Sequence, residues 1–93
     1  MKRVGVWVDG AVQAVGFRWW ARNDADRLGL TGSAVNLYDG RVELHLQGPD
    51  AAVDEMVRRL TGADPDLRRP GYVESSRIER ETIVPGERGF TVG

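Results

Sequence analysis

The sequence contains no cysteine and a single histidine, His45. The absence of cysteine excludes disulfide bonds, thiolate chemistry and zinc sites with sulfur ligands, and it fits a reducing compartment. One histidine without clustered carboxylates does not make a metal site, so we interpret His45 as a solvated residue of a sheet. We therefore expect no metal site.

Neither sign of charge is in excess, because 13 lysines and arginines face 14 aspartates and glutamates, for a formal net charge of −1. Such a chain has no global field that draws it to nucleic acid or an anionic membrane. Long apolar runs are also lacking, since Asp9 soon interrupts the apolar stretch that follows Lys2 and Arg3. A signal peptide needs about 7–15 apolar residues there, and a membrane span about 20. We expect a cytoplasmic protein with no nucleic-acid and no membrane partner.

The 93 residues, 41% of them apolar and 29% charged, suit one globular domain spanning residues 1–93. The first half predicts a strand, a helix and a strand, from a period of two followed by helical spacing. The residues that indicate these elements are Val4, Val6 and Val8, then Phe17, Ala21, Ala25 and Leu28 with Gly29 as the stop signal, then Leu30 to Leu37.

The second half predicts a strand, a helix and two further strands. Asp39-Gly40 indicates a hairpin with a type I′ turn, in which both central residues have positive φ. The signals that follow are Val42, Leu44 and Leu46 for the third strand, Gly48-Pro49 to Gly62 for the second helix, Ala63 to Gly71 for a loop, Tyr72 to Val84 for an edge strand, and Phe90 with Val92 for a short last strand.

The order β-α-β-β-α-β, with a short extra strand, predicts an α+β fold. Two βαβ-like halves joined by a hairpin are typical of the ferredoxin-like split βαβ sandwich, an antiparallel sheet with two helices on one face. This fold hosts many unrelated functions, so it decides nothing about chemistry.

The segment Gly10-Ala11-Val12-Gln13-Ala14-Val15-Gly16-Phe17-Arg18 connects a strand to a helix and ends on an arginine. Successive backbone N–H groups in such a loop can converge on an anion, and the positive end of the following helix dipole adds to this. Arg18 can grip phosphate oxygens through two parallel hydrogen bonds. The alternative is that Gly10 and Gly16 only shape a turn and that Arg18 is solvated.

The segment Gly32-Ser33-Ala34-Val35-Asn36 ends the second predicted strand. Asparagine is depleted in strands, and its amide can donate and accept at once, which suits it to hold a water molecule. The alternative is that Asn36 begins the turn towards Asp39-Gly40.

Together these two segments resemble the signatures of the acylphosphatase family, G-x-V-Q-G-V-x-F-R and G-x-V-x-N. The resemblance extends in one register to Asp39-Gly40, Gln47-Gly48 and Phe90. It implies a metal-independent hydrolase that cleaves acyl phosphates to a carboxylate and inorganic phosphate, and a small monomer without a cofactor.

The resemblance also implies a role for each matching residue. Arg18 becomes the catalytic arginine that binds phosphate, and Asn36 the catalytic residue that orients the attacking water. The phosphate-binding loop comprises Gln13, Ala14, Val15, Gly16, Phe17 and Arg18.

Two positions depart from the family pattern. Ala14 stands where the family usually has glycine, which carries a cost of about 1 kcal/mol if φ there is positive. Ser33-Ala34 replaces an aromatic residue and a valine, which affects the packing beneath Asn36.

Two other functions compete with the hydrolase. A non-catalytic module could keep the anion-binding loop and lose turnover through Ala14. An RNA-binding sheet would need stacked aromatics, but the third strand offers Glu43, His45 and Gln47.

Of Trp19 and Trp20, we expect one to pack at the edge of the core and the other on the surface, because neighbours on a helix point about 100° apart.

Overall fold

The two helices follow the predicted apolar spacing. The computed structural model of the chain describes residues 1–62 and 68–93, and in it helix α1 spans Phe17–Arg27 and helix α2 spans Asp50–Thr61. Gly29, just beyond α1, has a φ of 73°, the left-handed conformation in which helices commonly end. Among the described residues, neither helix is long and apolar enough to cross a membrane.

Five strands form one sheet in the described part of the chain. They are β1 (Lys2–Ala11), β2 (Thr31–Asn36), β3 (Val42–Gly48), β4 (Tyr72–Glu81) and β5 (Phe90–Val92), in the spatial order β4-β1-β3-β2-β5. The strands of the two halves therefore interleave, with β5 added beside β2. This confirms the ferredoxin-like α+β fold.

The four strands of the predicted β-α-β-β-α-β order pair antiparallel, whereas the short extra strand runs parallel to its neighbour. β3 pairs antiparallel with β1 and β2, and β4 with β1, but β5 runs parallel to β2. The reason lies in the segment after β4, which crosses the sheet near the amino end of β2. There Val84 is hydrogen bonded to Gln47, and Glu87 accepts a hydrogen bond from Thr31. The chain then turns back along β2 in the same direction.

Apolar side chains from one face of the sheet pack with both helices to form the core. The strands supply every second residue to this face, as the alternation predicts. The side chains with no exposed surface include Val6, Val8, Leu44 and Leu46 from the strands and Ala21, Met56 and Leu60 from the helices. The opposite face carries mostly polar and charged side chains, together with Trp7, which contacts Glu43, His45 and Arg77.

The hairpin between β2 and β3 lies where Asp39-Gly40 predicts it, but the predicted type I′ turn is wrong. Gly40 has a φ of 95°, whereas Asp39 is not among the residues with positive φ. The Gly40 N–H donates to the Leu37 carbonyl at 3.2 Å, and the Leu37 N–H donates to the Arg41 carbonyl at 2.8 Å. A three-residue loop with one left-handed glycine has this pattern.

Two boundaries also differ from the prediction. β4 lies at the edge of the sheet as expected, but it ends at Glu81 and not at Val84. Val84 has left the ladder because its backbone pairs with the side chain of Gln47. The predicted loop from Ala63 to Gly71 lies largely outside the described residues, which resume at Arg68.

Candidate functional site

The loop that follows β1 and the end of β2 lie at the same edge of the sheet. Both strands run antiparallel to β3, so their carboxyl ends are close together. Val8 and Asn36 are both paired with Val42, which places their Cα atoms two strand spacings, roughly 10 Å, apart. The structure thus brings the two predicted segments, residues 10–18 and 32–36, to one place.

The loop projects from the sheet between two buried anchors. Val12 and Phe17, at its two ends, are each 1% exposed. Ala14, Val15 and Gly16 between them are exposed. The core therefore holds both ends of the loop, while residues 14–16 between them are exposed to solvent.

The backbone N–H groups of residues 14–18 are unpaired. Within residues 1–62 and 68–93, none of them donates to a carbonyl or a side chain, and the first bond of α1 runs from the Trp20 N–H to the Gly16 carbonyl at 3.0 Å. Unpaired N–H groups at a helix N-terminus carry the positive end of the helix dipole. Such a group of donors is suited to an anion, as the sequence predicts.

Arg18 lies in the first turn of α1, directly beside these donors. Its side chain is half-buried, and its Nη1 donates to the carbonyl oxygen of Gly93, just beyond β5. No aspartate or glutamate side chain in the described part of the chain pairs with it. Its remaining guanidinium N–H groups make no hydrogen bond to any described residue.

Asn36 is exposed at the end of β2, on the face that the helices cover. It shares that face with Ala34, which has no exposed surface, and with its strand partner Val42. Its side-chain amide makes no hydrogen bond to any described residue. The amide can therefore bind water, and the replacement at Ala34 leaves closed packing beneath it.

Ala14, which stands where the family usually has glycine, adopts a backbone conformation with positive φ. Its φ is 60°, and the only other described non-glycine residue with positive φ is Arg68. A side chain in this left-handed region costs about 1 kcal/mol or slightly more. The loop keeps the backbone shape that suits glycine and bears this cost.

The two tryptophans separate as predicted. Trp20 packs against the core, with its ring centroid 5.6 Å from that of Phe17. Trp19 is 53% exposed, and the guanidinium of Arg22 lies 5.4 Å from its ring centroid. Trp19 is therefore on the surface, one residue after Arg18.

His45 lies on the open face of the sheet but is less solvated than expected. Its Nδ1 lies 2.7 Å from a carboxylate oxygen of Glu81, and its Nε2 lies 3.2 Å from one of Glu43. Burial alone would lower the pKa of His45, but the hydrogen bonds with these two carboxylates outweigh burial and raise it above 6.5. The three side chains form a polar contact on the open face of the sheet.

Sequence reasoning missed two contacts at the site. One is the Gly93 carbonyl beside Arg18. The other is the side chain of Gln13, whose Nε2 donates to the carbonyls of Leu37 and Arg41 in the hairpin. Neither has a signal in the sequence, because each joins residues far apart in the chain.

No group of three or more histidine, aspartate or glutamate side chains suited to a metal ion occurs among the described residues.

Comparison with known proteins identifies relatives over almost the whole chain. The family model for acylphosphatase matches residues 4–92. A curated acylphosphatase from Acidothermus cellulolyticus is 47% identical over 89 residues, 96% of this chain and 84% of the relative. One from Corynebacterium diphtheriae is 47% identical over 88 residues, 95% and 90% of the two chains. The crystal structure of acylphosphatase from Bacillus subtilis superposes with a TM-score of 0.83 at 28% identity, covering 100% of this chain and 99% of that one.

Proposed function

The chain belongs to the acylphosphatase family and hydrolyses acyl phosphates, and we propose that Arg18, the loop N–H groups and Asn36 perform this reaction together. The substrate is a small acyl phosphate, and inorganic phosphate is a product. Curated relatives named for this enzyme favour the hydrolase over the anion-binding module that Ala14 suggested.

The observation that carries the proposal is the row of unpaired N–H groups at residues 14–18 beside Arg18. In our proposal these donors and the guanidinium bind the phosphate group of the substrate. Backbone donors and a guanidinium fork match the spread of negative charge over phosphate oxygens. They also stabilise the charge that develops during displacement, in an arrangement that is already formed before substrate binds.

Asn36 holds the attacking water in this proposal. Its free amide can accept from the water and also donate to a substrate oxygen. An acyl phosphate is already activated, so no covalent nucleophile is needed. Positioning a water molecule against the bound phosphorus removes the translational and rotational cost of the encounter.

In the proposed step, water displaces the carboxylate from phosphorus. The water oxygen forms a bond to phosphorus, and the bond between phosphorus and the acyl oxygen breaks. The electron pair of that bond leaves on the acyl oxygen, which becomes part of the carboxylate. The water proton passes to a phosphate oxygen of the substrate, so no side chain acts as a base. The products are one carboxylate and one dihydrogen phosphate ion.

We propose a single catalytic domain over residues 1–93, acting as a monomer in the cytoplasm. The reaction as written uses only donors of this chain, so we expect it to proceed in the presence of a chelator.

An assay of acetyl phosphate hydrolysis tests this division of roles. We expect Asn36→Ala to lower kcat by about 100-fold or more, because the water loses its orientation. Competitive inhibition by inorganic phosphate should stay close to that of the parent, since the loop and Arg18 remain. A kcat unchanged in Asn36→Ala would contradict the role of Asn36. An inactive parent in the presence of chelator would contradict the proposed reaction.

A further inference from the structure

Gln13 connects the phosphate-binding loop to the hairpin that carries Asn36. Its Nε2 donates to the Leu37 carbonyl at 2.8 Å and to the Arg41 carbonyl at 3.0 Å. Leu37 directly follows Asn36, and Arg41 directly precedes Val42, the strand partner of Asn36. The Gln13 amide thus donates one hydrogen bond to each side of the turn next to Asn36.

This amide is the direct hydrogen-bonded tie between residues 12–17 and residues 36–41 in the described part of the chain. The ladder with β3 fixes the backbone of Asn36 within the sheet. The loop, however, projects beyond the sheet, and its exposed residues make no ladder bonds. Gln13 therefore adds to the buried anchors Val12 and Phe17 a direct bond that fixes the position of the loop relative to Asn36.

We infer that Gln13 is a positioning residue, which sets the distance between the bound phosphate and the water held by Asn36. The inference rests on the proposed function of Arg18 and Asn36. A displacement of about 1 Å between reacting groups can cost on the order of 100-fold in rate. A tether that fixes this distance therefore acts on turnover more than on phosphate binding.

Loss of the tether leaves the hairpin itself intact. The Leu37 carbonyl also accepts from the Gly40 N–H, and the Arg41 carbonyl also accepts from the Leu37 N–H. Removal of the Gln13 amide consequently leaves neither carbonyl without a partner, so the stability loss is modest. The two effects, on stability and on turnover, can then be separated.

The first experiment replaces Gln13 by Met, which keeps the length and removes the donor. We expect kcat to fall by about 10- to 100-fold, with the inhibition constant of inorganic phosphate within about threefold of the parent. The matched control is Gln47→Met. Gln47 also ties two segments by a pair of hydrogen bonds, to the backbone of Val84, but far from the loop. The control should lose stability and keep its kcat.

A double-mutant cycle with Asn36→Ala tests whether Gln13 acts through Asn36. In the Asn36→Ala background, we expect Gln13→Met to lower kcat by less than about threefold, since the positioned group is gone. Multiplication of the two full effects would overturn the inference while leaving the proposed function standing. If Asn36→Ala alone leaves kcat unchanged, the proposed function fails first, and the inference fails with it.

A second variant, Gln13→Glu, keeps the test decisive if Gln13→Met does not fold. Its carboxylate cannot donate to either carbonyl, but its protonated form donates one hydrogen bond. The ratio of its kcat to that of the parent should rise as the pH falls through the ordinary range of a glutamate, about 4.3. Circular dichroism at each pH confirms that the variant is folded. A ratio that stays flat across this range would overturn the inference.

Discussion

The two ends of the sheet use polar groups in opposite ways. At the carboxyl ends of β1 and β2, the N–H groups of residues 14–18 and the amide of Asn36 make no hydrogen bond to any described residue. At the amino ends of the same strands lies a group that we name the closing network, formed by Arg3, Thr31, Gln47, Glu81 and Glu87. Its members bind one another across the sheet.

The two arginines show what the difference means. The Arg3 side chain is 11% exposed and lies 2.9 Å from Glu87 and 3.3 Å from Glu81. Arg18 reaches a single backbone carbonyl. Arg3 therefore holds together segments that meet only in the folded state, whereas Arg18, in our proposal, binds the phosphate group of the substrate. Polar groups that have no hydrogen-bond partner in the fold therefore indicate a candidate ligand site better than polar groups that bond one another.

The largest expected effect is on activity at the open end. Arg18→Ala should lower kcat/KM by about 100- to 1000-fold, the usual cost of removing a donor that stabilises transition-state charge. The free energy of unfolding should change little, because Arg18 makes one bond to a carbonyl. Steady-state kinetics and urea unfolding measure the two quantities. A loss of stability as large as that of an Arg3 variant would contradict the view that Arg18 serves activity and Arg3 serves stability.

The next effect is on stability at the closing network. Arg3→Ala leaves two partly buried carboxylates without their guanidinium, so we expect a loss of about 2 kcal/mol, between the values for exposed and for buried pairs. The kcat of the folded variant should match the parent. Arg77→Ala is the control, since Arg77 forms an exposed pair with Glu79. A drop in kcat without a drop in stability would contradict this account of Arg3.

A smaller effect is expected within the loop. Ala14→Gly relieves the strain of a positive φ but gains chain freedom in the unfolded state, so the net stabilisation should be about 0.5–1 kcal/mol. Because glycine adopts the same positive φ and keeps the N–H donor, kcat should change little. Ala51→Gly, in the exposed first turn of α2, should instead destabilise the protein by up to about 1 kcal/mol. Urea unfolding of both variants checks the opposite signs.

The smallest effect is the pH dependence that His45 contributes. Its pKa in the folded protein is raised by Glu81 and Glu43 against the lowering effect of burial. The protonated form is thus stabilised by folding, so its contribution is fully present below about pH 6.5, the unfolded value. It is lost as the pH rises through the folded pKa. His45→Gln should remove this fall in unfolding free energy, and unfolding curves from pH 6 to pH 8 test it; an identical fall in the variant would exclude His45 as its source.

Much of the fold followed from local pattern. The alternation of Val4, Val6 and Val8 and the spacing from Phe17 to Leu28 are set by the strand and helix periods, and the structure confirms them. The sequence does not indicate the direction of β5, because this direction depends on where the chain crosses the sheet after β4. The turn type was missed because the dipeptide Asp39-Gly40 occurs in more than one hairpin loop.

The candidate site shows a similar division. Arg18 and Asn36 stand out by residue type and position, and the fold brings their segments together. The side-chain bonds of Gln13 and the contact between His45 and Glu81 could not be predicted, since they join residues 24 or more positions apart. Local sequence rules do not reach such contacts.

The most direct test of the central claim is a phosphate titration followed by amide NMR. If the unpaired N–H groups and Arg18 bind phosphate, the amide signals of residues 14–18 should shift on addition of inorganic phosphate. Those of the closing network should stay in place, and Arg18→Ala should weaken the shifts strongly. Phosphate shifts confined to another surface, or unchanged in Arg18→Ala, would contradict the account.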